Sequence, residues 1–131
     1  MSAIAPSERP SVLLVEDDDG VRRATQLLLH GHGYRVRSHR AAASALADPA
    51  APEAAYLLAD YRLPDGDGID LLQAMRATGW SGHAVLMTGY PHAGLAEAAR
   101  QSGYAAFLEK PLRTHDLLAA LSRQQPNMPA A

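Results

Sequence analysis

Four apolar runs punctuate the chain, and each closes on a polar or charged residue: SVLLVE at Ser11–Glu16, AAYLLAD at 54–60, HAVLMT at 83–88 and AAFLE at 105–109. A strand covered on both faces reads this way, because successive side chains point into opposite layers and both layers are apolar. YRVRSH at 34–39 alternates instead, which predicts a more exposed strand at a sheet edge. Helical spacing fills the intervals. Gly20–His30 places Val21, Ala24, Leu27 and Leu28 on one face, and the glycines at 31 and 33 supply a stop, since glycine accepts the left-handed conformation. Residues 41–47 predict a short alanine-rich helix ended by DPAAP. Asp67 caps the next helix, with Asp70 in its first turn where the helix dipole favours negative charge; Ile69, Leu72 and Met75 face inward up to Gly79. A helix over about Ala93–Ser102 stops at Gly103. A last one, Thr114–Arg123, turns Leu117, Leu118 and Leu121 to the core.

Strand and helix thus alternate five times. Consecutive strands joined through helices need crossover connections, so the expected architecture is α/β: a doubly wound parallel sheet with helices on both faces. Residues 11–123 form the expected domain, and 1–10 and 124–131, rich in Pro, Ala and Ser or Asn, are expected to be flexible tails. In such a sheet the working site lies at the carboxyl ends of the strands, where strand order reverses.

Composition narrows the class. The 131 residues suffice for one ordinary domain. A net charge of −2 gives no basis for a nonspecific grip on nucleic acid or an anionic membrane. Cysteine is absent, which removes disulfides and thiolate chemistry. The N-terminus lacks the basic start and apolar stretch of a signal peptide, and no apolar run approaches the about 20 residues that span a bilayer. A cytoplasmic domain is expected. The six histidines (His30, His32, His39, His83, His92, His115) show no metal-ligand spacing and are expected to face solvent.

The strand ends carry the chemistry. The first apolar run delivers Glu16 and Asp17, the next Asp60, then Thr88, and the last Lys110 followed by Pro111. Carboxylates crowded together repel, and one would take up a proton unless a cation joined them. A hard divalent ion with oxygen ligands resolves the conflict, and Mg²⁺ suits a few carboxylates plus waters and phosphate oxygens. With a hydroxyl and an ammonium alongside, the set matches the needs of a phosphoryl group: cations for its oxygens and a weak nucleophile held in line.

In LLVEDD, LLADYRLPDGDG, AVLMTG and FLEKPL the chain resembles the receiver domain of bacterial two-component response regulators, over about Ser11 to Arg123. The resemblance implies the flavodoxin-like strand order 2-1-3-4-5. It implies Asp60 as acceptor of a phosphoryl group from a sensor histidine kinase. Asp17, Asp60 and the backbone carbonyl of Arg62 would bind Mg²⁺ directly, and Glu16 mostly through water. Thr88 and Lys110 would contact the phosphoryl oxygens. Phe107 takes the place of the family's mobile switch aromatic, without the hydroxyl of the frequent tyrosine, and a cis Lys110–Pro111 bond is expected. Pro64 would fix one side of the acceptor loop, while Gly66 and Gly68 let the backbone pass close to the site. Tyr90 and Arg62 are large enough to shield an acyl phosphate or to position an attacking water. Gly89, smaller than the usual alanine, leaves access open.

Other readings use the same residues. The D-x-D-G-V string at Asp17–Val21 resembles that of haloacid dehalogenase-like Mg²⁺-dependent phosphohydrolases, with Asp17 as nucleophile, but the chain has no room for a cap domain and shows no later acidic pair beyond Asp60 and its loop. A degenerate, docking-only receiver is a further alternative. A flavin module of similar topology would need a phosphate cradle after the first strand, where EDDDG repels phosphate. The expected output is not enzymatic turnover but a shift of the face formed by about Ala93–Arg123, read by a downstream protein, as a monomer or a phosphorylation-linked dimer. Met1 fits a natural start. With about eight residues after the last helix, the chain is either a stand-alone receiver or the receiver piece of something longer.

Overall fold

The computed structural model describes residues 9–122, so positions 1–8 of the expected N-terminal tail, Arg123 and the expected C-terminal tail lie outside the described residues. The principal sheet comprises β1 (Ser11–Val15), β2 (Arg35–His39), β3 (Tyr56–Asp60), β6 (His83–Thr88) and β7 (Ala106–Glu109). They are parallel and lie in the order β2-β1-β3-β6-β7, the doubly wound order expected for five successive strands. A two-residue hairpin, β4 (Arg62–Leu63) with β5 (Gly66–Asp67), is folded out of the loop after β3. The helices are α1 (Asp19–Gly31), α2 (Ala42–Ala47), α3 (Gly68–Ala77), α4 (Leu95–Ser102) and α5 (Thr114–Ser122).

The unbroken apolar runs follow from this layering. Along β3, Leu57 and Ala59 enter one core layer with Leu71, Leu72 and Met75 of α3 and Leu95 and Ala99 of α4. Tyr56 and Leu58 enter the other with Leu29 of α1 and Leu117, Ala120 and Leu121 of α5. Each fully buried leucine contributes about 1.5–3 kcal/mol relative to exposure, so β1, β3 and β6 form the anchor of the fold.

Four inward faces differ from expectation. In α3, Leu71 is buried with Leu72 and Met75, and Ile69 is only half-buried. In α1 the buried residues are Thr25 and Leu29; Val21 and Leu28 are half-buried, Ala24 is exposed, and Leu27 is 65% exposed. Leu27 is two positions from both Thr25 and Leu29, about 200° around a helix with 3.6 residues per turn, so it cannot share their face. In α5, Ala120 is buried and Leu118 only half-buried. β7 is a sheet edge, and its Ala106, Phe107 and Leu108 are half-buried rather than enclosed on both faces. Strand composition could not reveal this, because an edge is defined by the neighbour that is missing.

Local chemistry sets the element ends. Asp18 accepts from the Val21 amide and caps α1, and Asp67 accepts from the Asp70 amide and caps α3. Gly94, at φ 86°, holds the start of α4 back to Leu95, two residues later than the sequence pattern suggested.

Candidate functional site

Strand register brings the chemistry together. Val15 pairs with Ala59 across β1 and β3, which sets Glu16 and Asp17 beside Asp60. Asp60 pairs with Met87, and Thr88 with Glu109, so Thr88 and Lys110 follow at the same edge of the sheet. The resulting cleft, about 680 Å³, is lined by Glu16, Asp17, Asp60, Arg62, Thr88 and Lys110 among others.

Lys110 is the hub. Its Nζ donates to Asp60 Oδ2 at 2.8 Å and to Glu16 Oε1 at 2.6 Å. Glu16 is fully buried, and its second oxygen accepts from the Asp18 amide at 3.0 Å. Asp60 is buried too, at 5% exposure, and among the described residues its Oδ1 accepts only a long 3.4 Å bond from the Arg62 amide. Burial pushes the Glu16 carboxyl above its usual range, with the Lys110 ammonium opposing. For Lys110, burial disfavours the charge, but the hydrogen bonds it donates to Asp60 and Glu16 outweigh it and its pKa is raised. The ammonium is therefore held in its charged form.

Asp17 is exposed and completes the cluster, with one carboxylate oxygen from each of Glu16, Asp17 and Asp60 lying within 4.8 Å of the others. Three carboxylates face one ammonium, leaving a deficit of about two positive charges when all are ionised. The donors are all oxygen, the cluster opens to solvent on the Asp17 side, and Asp60 Oδ1 is held only weakly. This set fits a small hard divalent cation such as Mg²⁺. Asp19 does not enter the cluster: its Oδ1 is 2.7 Å from Arg22 Nη2 and 3.8 Å from Arg40 Nε. The D-x-D string therefore does not supply two carboxylates to one ion here.

Thr88 is buried, and its Oγ1 accepts from the Tyr90 amide at 3.1 Å. Tyr90 itself is 73% exposed, and the Arg62 guanidinium sits 5.9 Å from its ring centroid, so these two side chains meet across the mouth of the cleft. Phe107 is half-buried against the α3–α4 core layer. The Lys110–Pro111 peptide is cis. Gly68 is the close approach: a Cβ there would lie 2.7 Å from the Asp60 carbonyl oxygen and 2.6 Å from Leu86 Cδ1. Gly66, at φ 149°, provides the turn before it.

Three features of the structure escaped the sequence. Asp65 accepts from the Ala42 and Ala43 amides, at 2.9 Å each, and so caps α2 from the turn between β4 and β5. A helix opening on alanines leaves its first amides in need of a partner, and that was the available signal. Asp48 is buried and accepts from Arg37 Nε and bonds His39 Nε2, both at 2.7 Å. His39 and His83 are thus half-buried and bonded, His83 to the Ala120 carbonyl, contrary to the solvent-facing expectation; a buried carboxylate and a buried helix carbonyl both draw donors. Last, Tyr104 is buried and its hydroxyl donates to the Gly68 carbonyl at 2.6 Å.

Comparison with known proteins places this geometry in context. The family described as response regulator receiver domain matches residues 12–122. The photosynthetic apparatus regulatory protein RegA of Rhodovulum sulfidophilum is 32% identical over 87% of this chain and 62% of its own length. The transcriptional regulatory protein FixJ of Azorhizobium caulinodans is 34% identical over 84% of this chain and 52% of its own. The chain therefore spans roughly half to three-fifths of these curated relatives. Among solved structures, the signal receiver domain of an HD domain-containing protein from Pseudomonas fluorescens Pf-5 superposes with a TM-score of 0.81 at 31% identity, covering 88% of this chain and 94% of that one. A CheY-like receiver domain protein from Methanospirillum hungatei JF-1 gives 0.78 at 26% identity, covering 87% and 91%.

Proposed function

Because the chain belongs to the family of response regulator receiver domains, we propose that it accepts a phosphoryl group on Asp60 from a phosphohistidine of a sensor histidine kinase. The observation that carries this reading is the Lys110 ammonium bridging Asp60 and Glu16 beside Asp17. In the transfer, a carboxylate oxygen of Asp60 forms a bond to phosphorus as the P–N bond to imidazole breaks. The electron pair leaves on the imidazole nitrogen, and the product is an aspartyl phosphate.

The chain's own groups prepare that step. Lys110 supplies a fixed positive charge for a phosphoryl oxygen, and Thr88 a hydroxyl from the neighbouring strand end. Asp17, Asp60 and the Arg62 backbone carbonyl would hold Mg²⁺, with Glu16 acting through water. When bound, the ion supplies positive charge to the transferring oxygens. Arg62 and Tyr90 cover the mouth of the cleft and set the lifetime of the aspartyl phosphate.

Phosphorylation replaces the Lys110–Asp60 contact with one to a group carrying nearly two negative charges. Thr88 and Phe107 then shift the equilibrium of the α4–β7–α5 face, which a downstream protein reads. The protein is a cytoplasmic signalling component, not an enzyme acting on other substrates, and works as a monomer or a phosphorylation-linked dimer. With a net charge of −2, the chain has no basic surplus with which to grip DNA.

Intact-mass spectrometry after treatment with phosphoramidate and Mg²⁺ tests the reading. One added phosphate is expected on the wild type and none on Asp60→Asn. No added mass on the wild type would leave a docking-only receiver, and covalent phosphate on Asp17 would favour a phosphohydrolase.

A further inference from the structure

The buried phenol of Tyr104 has no part in the chemistry above, yet it reaches the main chain that carries the acceptor. Tyr104 follows Gly103, the left-handed residue that ends α4, and its amide donates to the Ala99 carbonyl at 3.0 Å. Its ring crosses to α3, where the hydroxyl donates to the carbonyl of Gly68 at 2.6 Å. The amide of Gly68 in turn donates to the carbonyl of Tyr61 at 2.8 Å. The Gly68 Cα lies so close to the Asp60 carbonyl that no side chain fits between them.

We propose that Tyr104 is a positioning residue for Asp60: its hydroxyl clamps the first turn of α3 against the acceptor's own backbone and ties that backbone to the α4–β7 junction. The inference rests on the phospho-accepting reading and deepens it. Burial keeps the phenol protonated, its pKa pushed well above the ordinary tyrosine value, so the group remains a donor throughout the working range. A buried carbonyl loses a hydrogen bond if the hydroxyl is removed, and the turn is then free to draw away from Asp60. Displacing a reacting group by about 1 Å can cost on the order of 100-fold in rate. Loss of the clamp, which permits a smaller displacement, corresponds to about tenfold. The same connection gives the α4–β7 junction a route to the site that does not pass through Thr88 or Phe107.

The test compares wild type, Tyr104→Phe and, as a destabilised control in the opposite core layer, Leu29→Val. The rate of phosphorylation by phosphoramidate is measured at saturating Mg²⁺ and a temperature where each is folded. Tyr104→Phe is expected to take one phosphate about tenfold more slowly, and Leu29→Val at the wild-type rate. In parallel, the ring Cζ resonance of Tyr104 is followed in wild type and Asp60→Asn on addition of Mg²⁺ and phosphoramidate; it is expected to move only in wild type. Equal rates for wild type and Tyr104→Phe, or equal slowing in Leu29→Val, overturn the clamp alone. If Tyr104→Phe does not fold, the resonance decides, and an unmoved signal in phosphorylated wild type overturns it. A wild type that takes no phosphate sinks the phospho-accepting reading, and the clamp with it.

Discussion

Lys110 Nζ lies 2.8 Å from Asp60 Oδ2, although fifty residues separate the two along the chain. The same ammonium also holds Glu16, which is fully buried. Removing it leaves two carboxylates without their counter-charge in a desolvated place. Lys110→Ala is expected to slow phosphorylation by phosphoramidate on the order of 100-fold or more, as does loss of one donor to a transferring group elsewhere. A mass-spectrometric time course checks it. Phosphorylation within threefold of wild type would remove Lys110 from the chemistry.

Mg²⁺ is expected to stabilise the folded protein through the carboxylate cluster. At a concentration about 100 times the dissociation constant, linkage gives about 2.7 kcal/mol. Thermal melts with and without the ion measure this gain, and Asp17→Asn should lose most of it. An equal gain in both proteins would place the ion elsewhere.

Gly68→Ala is expected to be destabilising by about 1–3 kcal/mol, the usual range for overpacking. The new methyl would meet the Asp60 carbonyl and Leu86 at less than 3 Å, and the carbonyl cannot rotate away. Urea unfolding reports the loss. By contrast Gly31→Ala, where the added methyl meets nothing within 4 Å, is expected to be close to neutral.

The Asp48 carboxylate predicts the acid limb of stability. The Arg37 hydrogen bond, with further bonds from Ala50 and His39, depresses its pKa well below the ordinary value. A depressed folded-state pKa stabilises the protein above the unfolded pKa of about 3.9. That contribution is lost as pH falls below this value toward the folded one. Asp48→Asn should therefore flatten the dependence of stability on pH below about 4, measured by denaturant midpoints. An unchanged acid limb would show that the Arg37–Asp48 contact does not persist in solution.

Asp67→Ala is expected to cost about 1 kcal/mol, the ordinary value of a lost N-cap. The bond removed is the 2.8 Å contact from the Asp70 amide to Asp67 Oδ1. A control at Asp70, whose side chain caps no helix among the described residues, should cost less; equal losses would assign the effect to charge alone.

Much of this protein is readable one segment at a time. The apolar runs, the glycine stops and the capping aspartates are local signals with periods of two and 3.6 residues, and they fix which elements form and in what order. Because each buried strand ends on a polar residue, Glu16, Asp17, Asp60, Thr88 and Lys110 could be placed at one edge before any coordinate was known. What the tertiary structure alone decided is which partners those residues take and which faces meet the core. Leu27 faces out because Thr25 and Leu29 face in, and Phe107 is half-covered because, among the described residues, no strand lies beyond β7. Asp65 caps a helix 23 residues before it, Tyr104 holds a carbonyl 36 residues away, and Lys110 reaches Glu16 across 94. Periodicity carries no information about such pairs, since each depends on how far one finished element lies from another and on which buried polar group has been left without a partner.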